Sequence, residues 1–292
     1  MDFNASKKLS DFVWINGKFV AWEDANIHAL THGLHYSGAV FEGERAYGGK
    51  VFKLMEHSQR LLKSAEYMLL KVDYSAKEVM NATEELLQKN NLRNAYIRPL
   101  IWRGAESMGI GADVGCNLLI MAADSNPPFK MGQRLCVSPW KKPSQDSMPP
   151  QSKSSAHYGM MVVSQKLAKE GGYDDAILLD QYDDIAECTT TNIFFAKEKE
   201  GLLVTPIADR FLNGITRQTV IEIAKDMGIK VREERLMLED IEEYDVCFTT
   251  GTSGEIKGVS SIDIEGKTLE FSGEEIINKL QQKFAKIVGK EL

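Results

Sequence analysis

Residues 185–217 have the sequence IAECTTTNIFFAKEKEGLLVTPIADRFLNGITR. Two apolar runs, NIFFAK and LLVT, flank the polar segment KEKEG, a pattern that predicts two strands joined by a turn. The glycine of LNGITR precedes an amphipathic segment, so a helix is predicted to begin near Thr216. The stretch therefore predicts a strand pair that leads into a helix through a glycine turn.

The segments before this stretch contain strands and helices that do not alternate. FVWI and KFVAW surround Asn16-Gly17, and ERAY and KVFKL surround a second glycine pair, so two hairpins are predicted. Two helices follow, LMEHSQRLLKSAEYML and one that starts with a capping box of Ser75 and Glu78. The strands AYIRPLIW and NLLIMAA come next. This order favours an α+β fold over a doubly wound sheet.

Prolines mark the predicted domain junction, because six of the eight lie between Pro127 and Pro150. We predict a smaller N-terminal α+β domain over residues 1–124, an interdomain loop over 125–133 and a larger domain over 134–292. In the larger domain a helix is predicted from about Tyr158 to Lys169, and an amphipathic helix from about Glu274 is predicted to end the chain.

The composition is typical of a globular protein, with 43% hydrophobic and 26% charged residues. The net charge of −7 and the absence of any Lys/Arg-rich run argue against nucleic acid as a partner. No apolar stretch approaches the roughly 18 residues needed to span a bilayer, and MDFNASKKLSDF lacks the apolar centre of a signal peptide. We therefore expect a cytoplasmic protein with no membrane partner, and its four scattered cysteines are expected to be reduced.

Two candidate reactive residues stand out. Lys153 lies among prolines, serines and small residues in MPPQSKSSAHYG, where the nearest acids are Asp146 and Glu170. An isolated lysine of this kind can form a Schiff base with a carbonyl compound. Glu187 lies where a strand is expected to end in a hydroxyl-rich turn. It is either a partly buried functional carboxylate or an ordinary surface acid.

Two segments could bind an anion through backbone N–H groups. Gly214, Ile215 and Thr216 lie at a predicted helix start, where the N–H groups lack intrahelical partners, although an ordinary N-cap explains the same residues. The segment TTGTSGE, residues 249–255, could form a backbone nest. Neither segment resembles a Walker loop or a dinucleotide fingerprint, so a nucleotide is not the obvious ligand.

Arg98 interrupts the apolar strand AYIRPLIW and shares a face with Tyr96, so it needs an anionic partner, which could be a substrate. His28, His32 and His35 have the spacing of a metal site on a helix. Three glycines in ALTHGLHYSGAVFEG argue against a continuous helix there, so we interpret these histidines as packing residues and predict no metal site.

Together these features indicate one cofactor. A lysine that can form a Schiff base, a carboxylate that can keep a pyridine nitrogen protonated and two anion sites for a phosphate are what pyridoxal phosphate requires.

The sequence also resembles a known family. The positions that carry the resemblance run from Glu187 to Arg217, and they are Glu187, Thr189, Asn192, Ile193, Phe194, Leu203, Thr205, Leu212, Gly214, Ile215 and Arg217. Their spacing resembles the signature of the class IV aminotransferases. HGLHYSGAVFEGERAY, EHSQRL, YIRPLIW and SMGIG are similar to the branched-chain amino acid aminotransferases of that family. Glu44 is a departure, since relatives usually carry an apolar residue there.

The resemblance implies a two-domain fold of type IV pyridoxal-phosphate enzymes, like that of aminodeoxychorismate lyase and D-amino acid aminotransferase, with the cofactor between the domains. It implies that Lys153 is the catalytic residue and holds the cofactor covalently. The implied cofactor-binding residues are Lys153, Arg60, Tyr158, Glu187, Leu212, Ile215, Thr216 and Thr252. The implied substrate-binding residues are Tyr36, Phe41, Tyr96, Arg98, Ser253 and Ile110, the last contributed across a dimer interface.

The implied reaction is transamination of leucine, isoleucine or valine with 2-oxoglutarate, which gives a branched-chain 2-oxo acid and glutamate. The implied assembly is at least a homodimer, with a hexamer as the larger alternative. Three alternatives share the fold: a D-amino acid aminotransferase, an (R)-amine transaminase and an aminodeoxychorismate lyase. A binding protein that kept the fold without catalysis is a further alternative, against which the presence of Lys153, Tyr158 and Glu187 argues.

Overall fold

The computed structural model describes residues 9–126 and 129–290. These divide into two compact units, residues 9–126 with 152–156, and residues 129–151 with 157–290. The predicted domain bounds of 1–124, 125–133 and 134–292 remain a prediction. Of those ranges, residues 1–8, 127–128 and 291–292 lie outside the described part of the chain.

The first unit contains an antiparallel sheet with three helices. Its elements are β1 (Phe12–Ile15), β2 (Lys18–Ala21), α1 (His32–Tyr36), β3 (Ala39–Phe41), β4 (Glu44–Tyr47), β5 (Lys50–Val51), α2 (Leu54–Tyr67), α3 (Ala76–Lys89), β6 (Ala95–Arg103) and β7 (Cys116–Asp124). The strands lie in the order β2-β1-β7-β6-β4-β5, and β3 also pairs with β6. Both predicted hairpins are confirmed, β1-β2 and β4-β5.

Local sequence signals explain how these elements begin and turn. Asn16 and Gly17 both have positive φ, 48° and 87°, as a tight hairpin turn requires. The Ser75 side chain accepts a hydrogen bond from the backbone of Glu78, and the Glu78 side chain accepts one in return, so the predicted capping box is present.

The core of the first unit lies between the sheet and helices α2 and α3. Leu61 of α2 and Leu86 of α3 are fully buried with Ile97 and Ile101 of β6. Because side chains alternate along a strand, Tyr96 and Arg98 lie on the other face of the sheet. The helices therefore cover one face of β6 and leave the polar side chains on the opposite face.

The second unit contains a mixed sheet and three helices. Its elements are β8 (Lys130–Val137), α4 (Ser155–Glu170), β9 (Asp175–Leu179), β10 (Ile185–Cys188), β11 (Asn192–Lys197), β12 (Leu202–Pro206), α5 (Ile215–Asp226), β13 (Lys230–Glu234), β14 (Val246–Gly251), β15 (Glu255–Ile264), β16 (Lys267–Glu270) and α6 (Glu275–Val288). The first two residues of α4 are grouped with the first unit. The strands lie in the order β10-β9-β8-β15-β14-β11-β12-β13, and β16 pairs with β15.

The stretch at residues 185–217 folds as its pattern predicts. β11 and β12 pair antiparallel, with Phe195 opposite Val204, and α5 follows. β11 also pairs with β14, where the rings of Phe194 and Phe248 stack with centroids 4.9 Å apart. The predicted α+β class is confirmed, because strands and helices do not strictly alternate along the chain and both sheets contain antiparallel pairs.

Helix α4 begins three residues earlier than predicted, at Ser155 rather than Tyr158. The Ser154 hydroxyl accepts a hydrogen bond from the backbone N–H of Ala156 at 3.3 Å, which is the contact of an N-cap residue. The prediction missed this cap because three serines lie close together in SKSS. As a result, Lys153 immediately precedes the residue that caps the helix.

Within residues 9–126 and 129–290, no helix combines the length and the apolar composition that crossing a bilayer would demand.

Candidate active site

The main chain around Lys153 is held between helix α2 and strand β3. The Lys153 N–H donates to the Ser64 hydroxyl at 3.0 Å, and the Phe41 N–H donates to the Lys153 carbonyl at 3.1 Å. The hydroxyls of Ser152 and Ser154 donate to the carbonyls of Ser64 and Ala39. The serines that flank the lysine therefore fix its backbone from both sides.

The Lys153 side chain lies in a partly buried, cation-rich environment. Its Nζ is 5.1 Å from the centroid of the Phe41 ring. Burial, together with the nearby charges of Arg60 and Arg98, lowers the pKa of Lys153 to about 8, although Glu42 and Tyr96 act in the opposite direction. A substantial fraction of this amine is therefore neutral near pH 8, as a nucleophile or a base must be.

Arg60 is held by a fully buried carboxylate. Its Nε donates to Glu42 Oε1 at 2.6 Å and its Nη2 donates to Glu42 Oε2 at 2.8 Å. His57 lies 2.8 Å from Glu42 Oε2 through Nδ1. Burial raises the pKa of Glu42, but the charges and hydrogen bonds of Arg60 and His57 outweigh it and hold that pKa well below its usual range. Glu42 is therefore ionised and orients the guanidinium group.

Strand β6 carries a second cationic group on the face away from the helices. Arg98 Nη2 donates to the Tyr96 hydroxyl at 2.8 Å, and the guanidinium lies over the Phe41 ring at 4.6 Å. The Nε atom of Arg98 is buried and has no hydrogen-bond partner among the described residues. An arginine donor in this situation, next to two aromatic rings, is suited to binding a carboxylate.

Tyr36 and Ile110 occupy exposed segments of the first unit. Tyr36 ends α1 and is 44% exposed, and its hydroxyl donates to the Met108 carbonyl at 3.0 Å. Ile110 lies in the loop between β6 and β7 and is 79% exposed. The hydrogen bond holds the two segments together, and the predicted roles of both residues remain predictions.

In the second unit, Glu187 is a buried carboxylate near the end of β10, so it is not a surface acid. Its Oε1 accepts a hydrogen bond from Lys142 Nζ at 2.6 Å and its Oε2 accepts one from Asn192 Nδ2 at 3.3 Å. Asn192 also donates to the Leu212 carbonyl at 3.1 Å. Asn192 thus joins Glu187 to the segment that precedes α5.

Helix α5 begins with the buried residues Ile215 and Thr216, and no side chain in the described part of the chain caps it. Its N-cap, Gly214, lies so close to the Asn192 side-chain oxygen that a Cβ atom would collide with it. A larger residue at this position would have to displace the Asn192 side chain, which donates to Glu187 and to the Leu212 carbonyl. A helix start of this kind presents backbone N–H groups and a partial positive charge to an anion.

The turn between β14 and β15 contains Thr252, which is half-buried, and Ser253, which is exposed. Thr250, two residues earlier, pairs with Asn192 across the sheet, and its buried hydroxyl has no partner among the described residues. Strand pairing thus brings the start of β11 and the end of β14 to the same edge of the sheet. Thr252 follows directly on that edge.

Tyr158 is half-buried in the first turn of α4, next to His157. Burial lowers the pKa of His157, so its ring is neutral near pH 7. The ring lies 3.1 Å from the Pro149 carbonyl through Nε2, which therefore carries the proton.

The three histidines with the spacing of a metal site do not lie on one helix. Only His32 and His35 lie in α1, and His28 precedes it. Within the described residues, no cluster of three or more His, Cys, Asp or Glu side chains has the arrangement of a metal site. The His35 ring instead lies 2.9 Å from the Ala29 carbonyl.

Residues 39–262 match the family described as Amino-transferase class IV. The chain belongs to the class IV aminotransferase family. It is 55% identical, over 95% of its length and 96% of the relative, to a probable branched-chain-amino-acid aminotransferase of Rickettsia bellii.

Two solved structures are similar to this class IV aminotransferase. The branched-chain amino acid aminotransferase of Escherichia coli has a TM-score of 0.88 and 34% identity, with 97% of this chain and 96% of that one covered. The branched-chain amino acid aminotransferase of Thermobaculum terrenum, solved in its PLP form, has a TM-score of 0.88 and 26% identity, with 98% and 96% covered.

The structure of this class IV aminotransferase adds residues that the sequence analysis did not single out. Glu42 and His57 support Arg60, and Lys142 pairs with Glu187. Glu42 follows an apolar strand directly, and a carboxylate at such a position could have been recognised as a buried acid. Lys142 has no comparable signal, because it stands beside Lys141 in a proline-rich segment.

Proposed function

We propose that this class IV aminotransferase catalyses pyridoxal-phosphate-dependent transamination between branched-chain L-amino acids and 2-oxoglutarate. The products are branched-chain 2-oxo acids and L-glutamate. The observation that carries the proposal is Lys153, whose amine is partly buried and has a pKa lowered to about 8. The names of the relatives at 55% and 34% identity support the substrate class.

The residues present fit pyridoxal phosphate. Arg60 is an oriented cation, and α5 has a helix start without a side-chain cap, so both suit a phosphate group. Glu187 is a buried carboxylate that suits a protonated ring nitrogen. We propose that Arg60, Ile215, Thr216 and Thr252 bind the phosphate, that Tyr158 and Glu187 bind the ring, and that Leu212 packs beside it.

The cofactor, when bound, supplies an aldehyde carbon and a ring that accepts electrons from the substrate Cα. Lys153 Nζ would hold the cofactor covalently, and as a free amine it would accept the proton that leaves the substrate Cα. The charges of Arg60 and Arg98 keep this amine from binding that proton too tightly, because they disfavour its ammonium form. Glu187 holds a proton at the ring nitrogen, which favours removal of the Cα proton.

The substrate pocket must accept an aliphatic and an acidic side chain in turn. Phe41 and Tyr96 are buried and supply an apolar enclosure for a branched chain, and Arg98 supplies a cation for the distal carboxylate of glutamate. We propose that Tyr36, Ser253 and Ile110 complete this pocket, Ile110 from a second copy. The protein is then at least a homodimer, with a hexamer as the larger form, and we propose that it is cytoplasmic.

The decisive experiment uses the protein loaded with pyridoxal phosphate. Addition of L-leucine should convert the visible band of the bound cofactor, and addition of 2-oxoglutarate should restore it with formation of glutamate. D-alanine, an (R)-amine and aminodeoxychorismate should leave the band unchanged on the same time scale. Selective reaction with one of these three compounds would overturn the assignment. Light scattering at several protein concentrations tests the proposed oligomeric state.

A further inference from the structure

We infer that Lys142 is a positioning residue for Glu187, which it holds in the ionised state and in a fixed orientation so that Glu187 can keep the pyridine nitrogen of the cofactor protonated. The inference rests on the proposed function of Glu187. It concerns a residue that neither the sequence signature nor the family resemblance assigned. Its basis is the 2.6 Å contact of Lys142 Nζ with Glu187 Oε1, in which both residues are only 6% exposed.

The backbone holds Lys142 where its side chain has to be buried. Its N–H donates to the Leu179 carbonyl at 2.8 Å, and the Ser138 N–H donates to the Ile177 carbonyl at 2.8 Å, so the segment follows β9. Lys141, the preceding residue, has the opposite environment. Its Nζ is 2.7 Å from Asp183 in a pair whose side chains are 46% and 56% exposed. Two adjacent lysines therefore form one buried and one solvated ion pair.

Among the residues that the structure describes, Lys142 is the cation that contacts the Glu187 carboxylate. Oε2 accepts a hydrogen bond from Asn192, which is a neutral amide. The neighbouring His157 is neutral, because burial lowers its pKa, and its Nε2 is directed to the Pro149 carbonyl. A buried carboxylate that loses its compensating charge is strongly disfavoured, and it takes up a proton instead.

The protonation state of Glu187 decides what it can do for a pyridine ring. An ionised carboxylate accepts a hydrogen bond from a protonated ring nitrogen and stabilises its positive charge, whereas a carboxylic acid donates to an unprotonated nitrogen. The Lys142 ammonium also repels the ring proton. That repulsion is the smaller effect, because the ammonium contacts the Glu187 carboxylate directly, at 2.6 Å.

The test uses protein reconstituted with pyridoxal phosphate labelled with ¹⁵N in the ring, whose NMR shift reports the protonation of that nitrogen. Lys142→Met and Lys142→Gln remove the charge, Lys142→Arg retains it, and Lys141→Met is the matched control. We expect a protonated nitrogen in the wild type, Lys142→Arg and Lys141→Met, and a shift to the unprotonated position in the two neutral variants. Infrared spectra of the same neutral variants without cofactor should gain a carboxylic-acid band.

Each outcome decides the inference. A protonated nitrogen in either folded neutral variant would overturn it. If both neutral variants fail to fold while Lys142→Arg folds, Lys142 has a structural role and the inference is also overturned. Glu187→Gln separates the two proposals: a nitrogen that stays protonated in Glu187→Gln refutes the proposed role of Glu187 itself. A nitrogen that loses its proton in Glu187→Gln but keeps it in Lys142→Met refutes only the role of Lys142.

Discussion

The guanidinium group of Arg60 and the carboxylate of Glu42 form a two-pronged ion pair, with N–O distances of 2.6 and 2.8 Å. Glu42 is fully buried, and the Arg60 side chain is 17% exposed. Two parallel hydrogen bonds fix both the position and the plane of the guanidinium. The proposed phosphate contact is therefore prepared before any ligand arrives.

Glu42→Gln should strongly destabilise the protein, because it removes the charge of a fully buried carboxylate that pairs with Arg60 and contacts His57. The expected loss is about 3 to 5 kcal/mol in the free energy of unfolding, measured by denaturant titration. Glu66→Gln on α2 is the control, since Glu66 pairs with Lys63 at the surface and should cost at most about 1 kcal/mol. Equal losses in the two variants would show that the Arg60–Glu42 pair does not contribute as a buried pair.

Lys153→Ala should abolish both covalent retention of the cofactor and acid–base assistance. Acid–base catalysis alone accounts for roughly 10² to 10⁴ in rate, so turnover of L-leucine should fall by at least that factor. The measurements are steady-state turnover and the visible absorbance after dialysis. A variant that kept its colour and its turnover would contradict the assignment. The control is Lys166→Ala, which removes a lysine of an exposed ion pair on α4 and should behave as the wild type.

The lowered pKa of Lys153 can be measured in the protein without cofactor. Only the neutral amine reacts with an acylating reagent, so Lys153 should reach half of its maximal reactivity near pH 8. A lysine in an unstructured peptide should do so near roughly pH 10.4. Competitive labelling followed by mass spectrometry of the Lys153 peptide gives both profiles. Coincident profiles would refute the environment described for this amine.

Arg98→Met should affect the two half-reactions unequally. The loss of one partner of a buried charge pair typically costs about 2 to 5 kcal/mol, so the glutamate half-reaction should weaken roughly thirtyfold or more. The leucine half-reaction should change much less, because no charge is then left unpaired. Stopped-flow absorbance measures each half-reaction, with the exposed Arg93→Met as control. An equal loss in both would assign Arg98 to the shared α-carboxylate instead.

Glu44 should make stability depend on pH. Its carboxylate is fully buried, neither oxygen has a partner among the described residues, and burial together with the charge of Glu42 raises its pKa well above the usual range. The folded state thus binds this proton more tightly than the unfolded chain. In the unfolded chain a glutamate has a pKa of about 4.3. As the pH rises from there to the raised pKa of the folded state, the free energy of unfolding should fall by about 1.4 kcal/mol for each pH unit.

Glu44→Gln removes this contribution while it keeps the shape of the side chain. Unfolding free energies of wild type and variant, measured without cofactor from pH 4 to pH 8, should diverge steadily as the pH rises, with the variant gaining in relative stability. Glu56→Gln, an exposed position on α2, should run parallel to the wild type. Parallel curves for Glu44→Gln would mean that the pKa of Glu44 is the same in the folded and the unfolded protein, which would contradict the prediction.

Sequence patterns alone predicted most elements of the fold, although not α1, β3 or β16, and they predicted the residues with a local signature. Apolar periodicity, the Asn16-Gly17 turn and the Ser75 cap act over a few residues, so they can be recognised in the chain itself. Lys153 and Glu187 were recognisable because each occupies an unusual local context. Helix α4 was predicted to start late because the capping role of Ser154 depends on hydrogen-bond geometry that its neighbouring serines could equally provide.

The charge partners of the candidate site were decided by tertiary structure. Arg60 and Glu42 are separated by 18 residues, and Lys142 and Glu187 by 45. Nothing local in WKKPS distinguishes the buried Lys142 from the exposed Lys141, because burial follows from how the segment lies along β9. The sequence thus determined which candidate reactive groups are present. Folding decided which buried charges compensate one another, because only close packing that excludes water makes each of these groups depend on its partner.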